Sequence, residues 1–306
     1  MRILFFGSSS FSVPPLQSIR PLVSHVVTKK AKPKGRGYLL EDSEVACLAQ
    51  GLGLSLFEID SFKDPEAQAL AGLKPDLLVV VSFGLIIPKW FLEVASLGAI
   101  NVHPSLLPKY RGPAPIQWAI RQGETETGIT IIKMCEKMDA GDILYQEPFQ
   151  IGTVEDANGL SERLSERTAQ ILPDFLKGVE RSGLPPGIPQ REEDTTYTPM
   201  IKREMGLISW ATEAGEIVRH VRAFAVWPTA YTFLEGKLVK IFAAVPGHRT
   251  ENAEAGTVLE ALPEGLLIAA KNSSVLLKDV QMENRRRMGA SEFARGYRGI
   301  VGRKFC

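Results

Sequence analysis

The chain has 306 residues, 44% of them apolar, and a formal net charge of +1, which suits a soluble globular protein with two modest cores. Three scattered cysteines, Cys47, Cys135 and Cys306, form neither a zinc-ligand spacing nor a disulfide framework, so a reducing cytoplasmic setting is expected. The apolar run of "MRILFFGSSSF" is too short for a signal peptide, and no stretch reaches the ~18 apolar residues of a membrane span.

In chain order, "RILFF" before Gly7 reads as a buried strand, and apolar runs recur at "SHVVT", "LSLFEI", "DLLVVVSFG" and "GAINVH". Segments such as "EDSEVACLAQGLG" between them read as helices, and this alternation predicts a parallel sheet. "GSSSFS" lacks the later glycines of a dinucleotide-binding turn, so Gly7 is read as an ordinary strand-to-helix turn. "GITIIKMC" and "DILYQEPFQI" are two more strands. Residues 155 to 179 then show helical spacing through Leu160, Leu164, Ile171, Leu172 and Phe175. Four prolines and two glycines in "RSGLPPGIPQREEDTTYTP" indicate an extended linker. Beyond it, "AYTFLE", "KLVKIFAAV", "GTVLEAL", "GLLIAA" and "SVLLKDVQ" predict a small all-β barrel or sandwich. The expected division is a first domain over 1–180, a linker over 181–199 and a second domain over 200–306. Residues 201 to 306 hold 16 Lys and Arg against 11 Asp and Glu, whereas the rest of the chain is net acidic. That asymmetry fits a polyanionic partner or a solvated basic surface.

"NVHPSLLPKYRG", residues 101 to 112, follows a predicted strand with an unusual density of polar groups. In an open parallel sheet, ligands bind beyond the carboxyl ends of the strands. Asn101 and His103 share one side of that strand by its period of two, offering an amide donor and a titratable ring. Such a pair suits acyl transfer, because an amide N–H and an imidazolium can stabilise the oxyanion formed when an amine attacks an acyl carbon. A carboxylate would keep the histidine charged, and "EKMDAGDIL" supplies Asp139 and Asp142. The plainer alternative is a turn-capping asparagine beside a satisfied buried histidine.

"NVHPSLLPKYRGPAP" followed by "MDAGDIL" resembles the signature of the folate-dependent formyltransferases, which move a formyl group from 10-formyltetrahydrofolate to an amine. The resemblance implies an N-terminal Rossmann-like α/β domain, and it makes Asn101, His103 and Asp139 the catalytic trio, with Asp142 a bystander. "VVVSFGLIIPKWFL" is similar to the segment whose backbone brackets the pterin ring, implicating Ser82, Phe83, Gly84, Leu85, Ile86 and Ile87. "SLLP", from Ser105 through Leu106 and Leu107 to Pro108, resembles the adjoining folate-contacting loop. Four scattered histidines give no ligand cluster, and no metal is expected.

The whole chain resembles the branch of this family that formylates methionyl initiator tRNA. "KKAKPKGRGYLL", residues 29 to 40, is similar to that branch's basic loop, which reaches the tRNA acceptor end; this makes Lys34 and Arg36 candidates for tRNA contact. "YTPMIKREMGLISW", "VRAFAVWPTAY" and "GKLVKIF" resemble its C-terminal OB-like barrel. Lys202, Arg203, Arg285, Arg286 and Arg287 are the candidate phosphate contacts there. "GSSSF" and Pro104 depart from the usual pattern of this branch, so the acceptor is judged from the basic loop and the second domain. The alternatives are formylation of a sugar amine or other small amine, and a nucleic-acid-binding protein without catalysis. A monomer is expected.

Overall fold

The computed structural model describes all residues except 35–38, 249–252 and 272. In chain order the elements are β1 (Ile3–Phe6), α1 (Val13–Ile19), β2 (Val23–Lys29), β3 (Lys32–Lys34), β4 (Leu39–Glu41), α2 (Glu44–Gly51), β5 (Leu56–Ile59), α3 (Pro65–Gly72), β6 (Leu77–Val81), α4 (Lys89–Leu92), β7 (Ala99–His103), α5 (Pro115–Gln122), β8 (Glu126–Lys133), β9 (Ile143–Gln150) and α6 (Ala157–Ser182). Then follow α7 (Ala214–Ala223), β10 (Ala230–Leu234), β11 (Lys237–Pro246), β12 (Val258–Leu262), β13 (Gly265–Ala269), β14 (Ser274–Met282), β15 (Met288–Gly289) and α8 (Ala290–Arg295). The chain forms two compact units. The first comprises 1–112, 127–150 and 161–198; the second comprises 113–126, 151–160 and 199–306.

The first unit is built on a seven-stranded sheet of order β5-β2-β1-β6-β7-β8-β9. The pairs β5-β2, β2-β1, β1-β6 and β6-β7 are parallel, which is why their runs are continuously apolar: every residue of β1 and β6 is buried. Each fully buried Leu, Ile or Val contributes roughly 1.5–3 kcal/mol by leaving water. Strand β8 runs antiparallel to β7, placing Asn101 opposite Ile132 and His103 opposite Thr130. The helical spacing expected over 155 to 179 is realised in α6, whose Leu164, Leu172, Leu176 and Val179 are buried.

Residues 183–198, expected as a linker, belong to the first unit; they are mostly without regular structure apart from one 3-10 turn at Glu192–Asp194. Ile188 exchanges both main-chain bonds with Ile143 at 2.9 Å. Arg111 N–H donates to Thr196 O at 2.9 Å, and Thr198 N–H donates to Arg111 O at 2.8 Å.

The second unit carries an antiparallel sheet of order β10-β11-β14-β13-β12, with β15 on β14. Register shifts at Ile241 to Ala244 mark bulges in β11, the usual device for bending a long strand around a core. That core combines Val239, Ile241, Leu266 and Leu277 with Ile217 and Val221 of α7 and Phe293 of α8, two helices that join the expected strands. Among the described residues no helix is long and apolar enough to cross a membrane.

Candidate active site

Strand β7 ends at the carboxyl edge of the sheet, where the parallel strands β1 and β6 also end. Its last residue, His103, is only 4% exposed. A carbonyl oxygen can only accept, so the 2.8 Å contact between His103 Nε2 and Tyr110 O requires the hydrogen on Nε2. That bond fixes the ring and leaves Nδ1 facing Asp139, whose Oδ2 lies 3.6 Å away. This is close enough for charge attraction and too long for a hydrogen bond, so Nδ1 is the atom through which His103 can address a reacting group. Asn101 donates from Nδ2 to Asp139 Oδ1 at 3.3 Å, spending one of its two amide hydrogens. The three residues named from the motif are thus brought together, across 38 positions of sequence.

The D-x-G spacing has a local cause. Asp139 adopts a left-handed conformation with φ +50°, and its Oδ2 accepts from Gly112 N–H at 2.8 Å. Two residues on, a Cβ at Gly141 would stand 1.7 Å from Lys133 O, so only glycine fits where the loop folds back on β8. Gly112 is held just as tightly: its φ is +105°, and a Cβ there would meet Thr198 O at 2.8 Å. Asp142 is exposed, its side chain lying beside Gly187.

The two loops expected to receive folate differ in how they present themselves. Ser82, Gly84 and Ile86 are exposed and Leu85 is partly so, whereas Phe83 and Ile87 are buried. The Phe83 ring packs edge-on to Phe6 at 5.2 Å, so Phe83 and Ile87 can offer a ligand only their main chain. Ser82 has φ +49° and accepts at its Oγ from Ser9 Oγ–H at 2.8 Å, which ties the "GSSSF" loop to this segment. In the second loop Ser105 and Leu107 are buried, while Leu106 and Pro108 are partly exposed. Thr130, fully buried on β8, holds this loop: its hydroxyl donates to Ser105 O at 2.6 Å and accepts from Leu107 N–H at 3.2 Å.

Four residues that motif reading passed over, Gln190, Arg111, Glu192 and Tyr197, complete the arrangement. Gln190 donates from Nε2 to both Asp139 O at 2.8 Å and Gly141 O at 2.7 Å. Its Oε1 accepts from Arg111 Nε at 3.0 Å. The Arg111 guanidinium, 1% exposed, also bonds Glu192 at 3.1 Å and the Tyr197 hydroxyl at 3.3 Å. Gln190, Glu192 and Tyr197 lie in a proline-rich stretch without periodicity, so only their joint spacing with the "YRG" arginine, Arg111, could have signalled them.

Of the expected tRNA contacts, Arg36 lies outside the described residues, as does the side chain of Lys34, whose backbone pairs with Leu39. In the second unit Lys202, Arg203 and Arg285 are exposed. Arg286 is ion-paired with Glu292 at 2.7 Å. Arg287 bonds Asp279 at 2.7 Å and stacks 4.2 Å over the Phe242 ring, so these two charges are partly committed within the unit. Among the described residues there is no group of three or more His, Cys, Asp or Glu that could hold a metal ion.

Residues 1–176 match the formyl transferase family, and residues 200–298 match the formyl transferase C-terminal domain. The chain is 42% identical over 305 residues to a methionyl-tRNA formyltransferase of Syntrophus aciditrophicus, covering 98% of this chain and 97% of that one. It is 39% identical over 305 residues to a methionyl-tRNA formyltransferase of Geobacter sulfurreducens, covering 97% and 94%. Among solved structures, its fold is similar to an N-formyltransferase from Helicobacter canadensis in complex with folinic acid and dTDP-3-aminofucose, with a TM-score of 0.67, 17% identity and 92% and 98% coverage. It is also similar in fold to HypX from Aquifex aeolicus in complex with tetrahydrofolic acid, with a TM-score of 0.64 and 20% identity; 96% of this chain is covered, and it spans 47% of that one.

Proposed function

Since the chain belongs to the formyl transferase family, we propose that it transfers the formyl group of 10-formyltetrahydrofolate to the α-amine of methionyl initiator tRNA, giving the N-formylmethionyl-tRNA used to start translation. The observation that carries the choice of acceptor is similarity over both units, at about 40% identity, to methionyl-tRNA formyltransferases. A folate-type formyl donor follows from the family; its fully reduced N10-formyl form is our reading of the chemistry.

In this reading the amine nitrogen attacks the formyl carbon at the carboxyl edge of the sheet and forms a tetrahedral intermediate. The second amide hydrogen of Asn101 and the Nδ1 hydrogen of protonated His103 stabilise the oxyanion. Asp139, with Oδ2 3.6 Å from Nδ1, lies beside the imidazole and assists the proton leaving the amine. The bond from the formyl carbon to folate N10 then breaks, and N10 takes a proton. The donors supply the electrophilic assistance, so the scheme uses no metal ion. The exposed faces of Ser82 to Ile87 and of Leu106 and Pro108 receive the folate. The tRNA is held by the basic loop that includes Lys34 and Arg36 and by Lys202, Arg203 and Arg285 to Arg287. We assign catalysis to residues 1–180, tRNA binding to 200–306 and connection to 181–199, in a cytoplasmic monomer.

The test is formyl transfer from 10-formyltetrahydrofolate to methionyl initiator tRNA, run beside uncharged tRNA, glycinamide ribonucleotide and an amino-sugar nucleotide. Transfer confined to the charged tRNA is expected. Transfer only to a small amine would overturn the choice of acceptor and keep the catalytic trio; transfer to none would overturn the reading.

A further inference from the structure

We propose that Gln190 is a positioning residue for this reaction, holding the Asp139 carboxylate against Asn101 and His103 by clamping the main chain of its loop. The inference rests on the formyl-transfer reading. A left-handed conformation at a non-glycine residue is uncommon and persists where its surroundings impose it. At Asp139 the imposing group is one side-chain amide, whose Nε2 bonds the carbonyls on both sides of the turn, at residues 139 and 141. Two bonds from one nitrogen fix the spacing and direction of those carbonyls, and with them the line along which the carboxylate leaves the chain.

The amide itself cannot turn over. Its Oε1 is held by Arg111 Nε–H, and a flip would set that oxygen against two carbonyl oxygens and an N–H against an N–H. Arg111 is buried and anchored by Glu192, by the Tyr197 hydroxyl and by main-chain bonds to residues 196 and 198. The distances from Asp139 to Asn101 and His103, 3.3 and 3.6 Å, have no slack: a drift of half an ångström would break the first contact and weaken the second.

The variant Gln190→Glu keeps the size of the side chain and the acceptor for Arg111, and removes both N–H donors. It is compared with wild type, Asp139→Asn and the double variant, by kcat and KM for each substrate in the full chain. In Gln190→Glu, kcat should fall about tenfold or more while both KM values stay within roughly threefold, as expected for lost positioning rather than lost binding. The double variant should be no slower than Asp139→Asn, because Gln190 acts through the carboxylate already removed. The amide proton of Gly112, bonded to that carboxylate, should shift upfield by NMR in both single variants. A folded Gln190→Glu protein with kcat within about twofold of wild type, or penalties that multiply in the double variant, would overturn the proposal. If wild type transfers nothing to methionyl-tRNA, the functional reading falls, and the Gly112 amide alone decides whether Gln190 sets the carboxylate.

Discussion

His103 has both ring nitrogens assigned by its neighbours, Nε2 to a carbonyl and Nδ1 to the edge of the sheet, and this division of labour makes its replacement informative. His103→Ala should lower kcat about 100-fold or more, the range for removing an oxyanion donor, with KM for folate little changed. An unchanged rate in a folded variant would remove His103 from the chemistry. Asn101, His103 and Asp139 were legible because a strand end, an alternation of two and a D-x-G motif each leave a mark in the sequence. Gln190 and Arg111 were not, because an amide bonding main-chain carbonyls obeys no period and its partners lie 49 to 79 residues away.

Helix α7 carries His220 on its buried side, 5% exposed, with Nε2 donating to Gly206 O at 3.1 Å. Burial pushes its pKa down to about 4; the Gly206 bond opposes the shift, and the Arg121 charge adds to it. The unfolded chain binds a proton near pH 6.5 that the folded one refuses until about pH 4, so stability is complete above 6.5 and is lost as pH falls through that window. The loss attributable to this one group is roughly 3 kcal/mol. Denaturant unfolding of wild type against His220→Phe at pH 7.5 and 4.5 should show the smaller acid loss in the variant; equal losses would refute the assignment. Strands such as β1, β6, β8 and β13 were legible in their apolar runs because most or all of their residues are buried. The antiparallel direction of β8 was not, since a buried strand reads the same in either direction. The pairing of β3 with β4 was hidden because β3 is Lys-Pro-Lys, and the two leucines of β4 are too few to show an alternation.

At the scale of the molecule, the basic excess of residues 201 to 306 predicts how the reaction answers to salt. Lys202, Arg203 and Arg285 are exposed, whereas Arg286 and Arg287 are already paired. Three phosphate contacts would raise KM for methionyl-tRNA roughly 40-fold between about 50 and 200 mM salt, with KM for folate nearly flat. A flat response for both substrates would show that these charges do not meet the tRNA. The two-unit plan was legible in the change from alternating strand and helix to closely spaced strands. The interleaving of the units along the chain was not, because no change of composition marks residues 113 or 151. Residues 161–198 belong to the first unit although the chain has twice entered the second before reaching them. A nascent polypeptide that has emerged only through α6 therefore holds Asn101, His103 and Asp139, while Gln190, Glu192 and Tyr197 are still inside the ribosome. Synthesis order thus delays the bonds of Gln190 and Arg111 that hold the loop carrying Asp139 until this stretch has emerged.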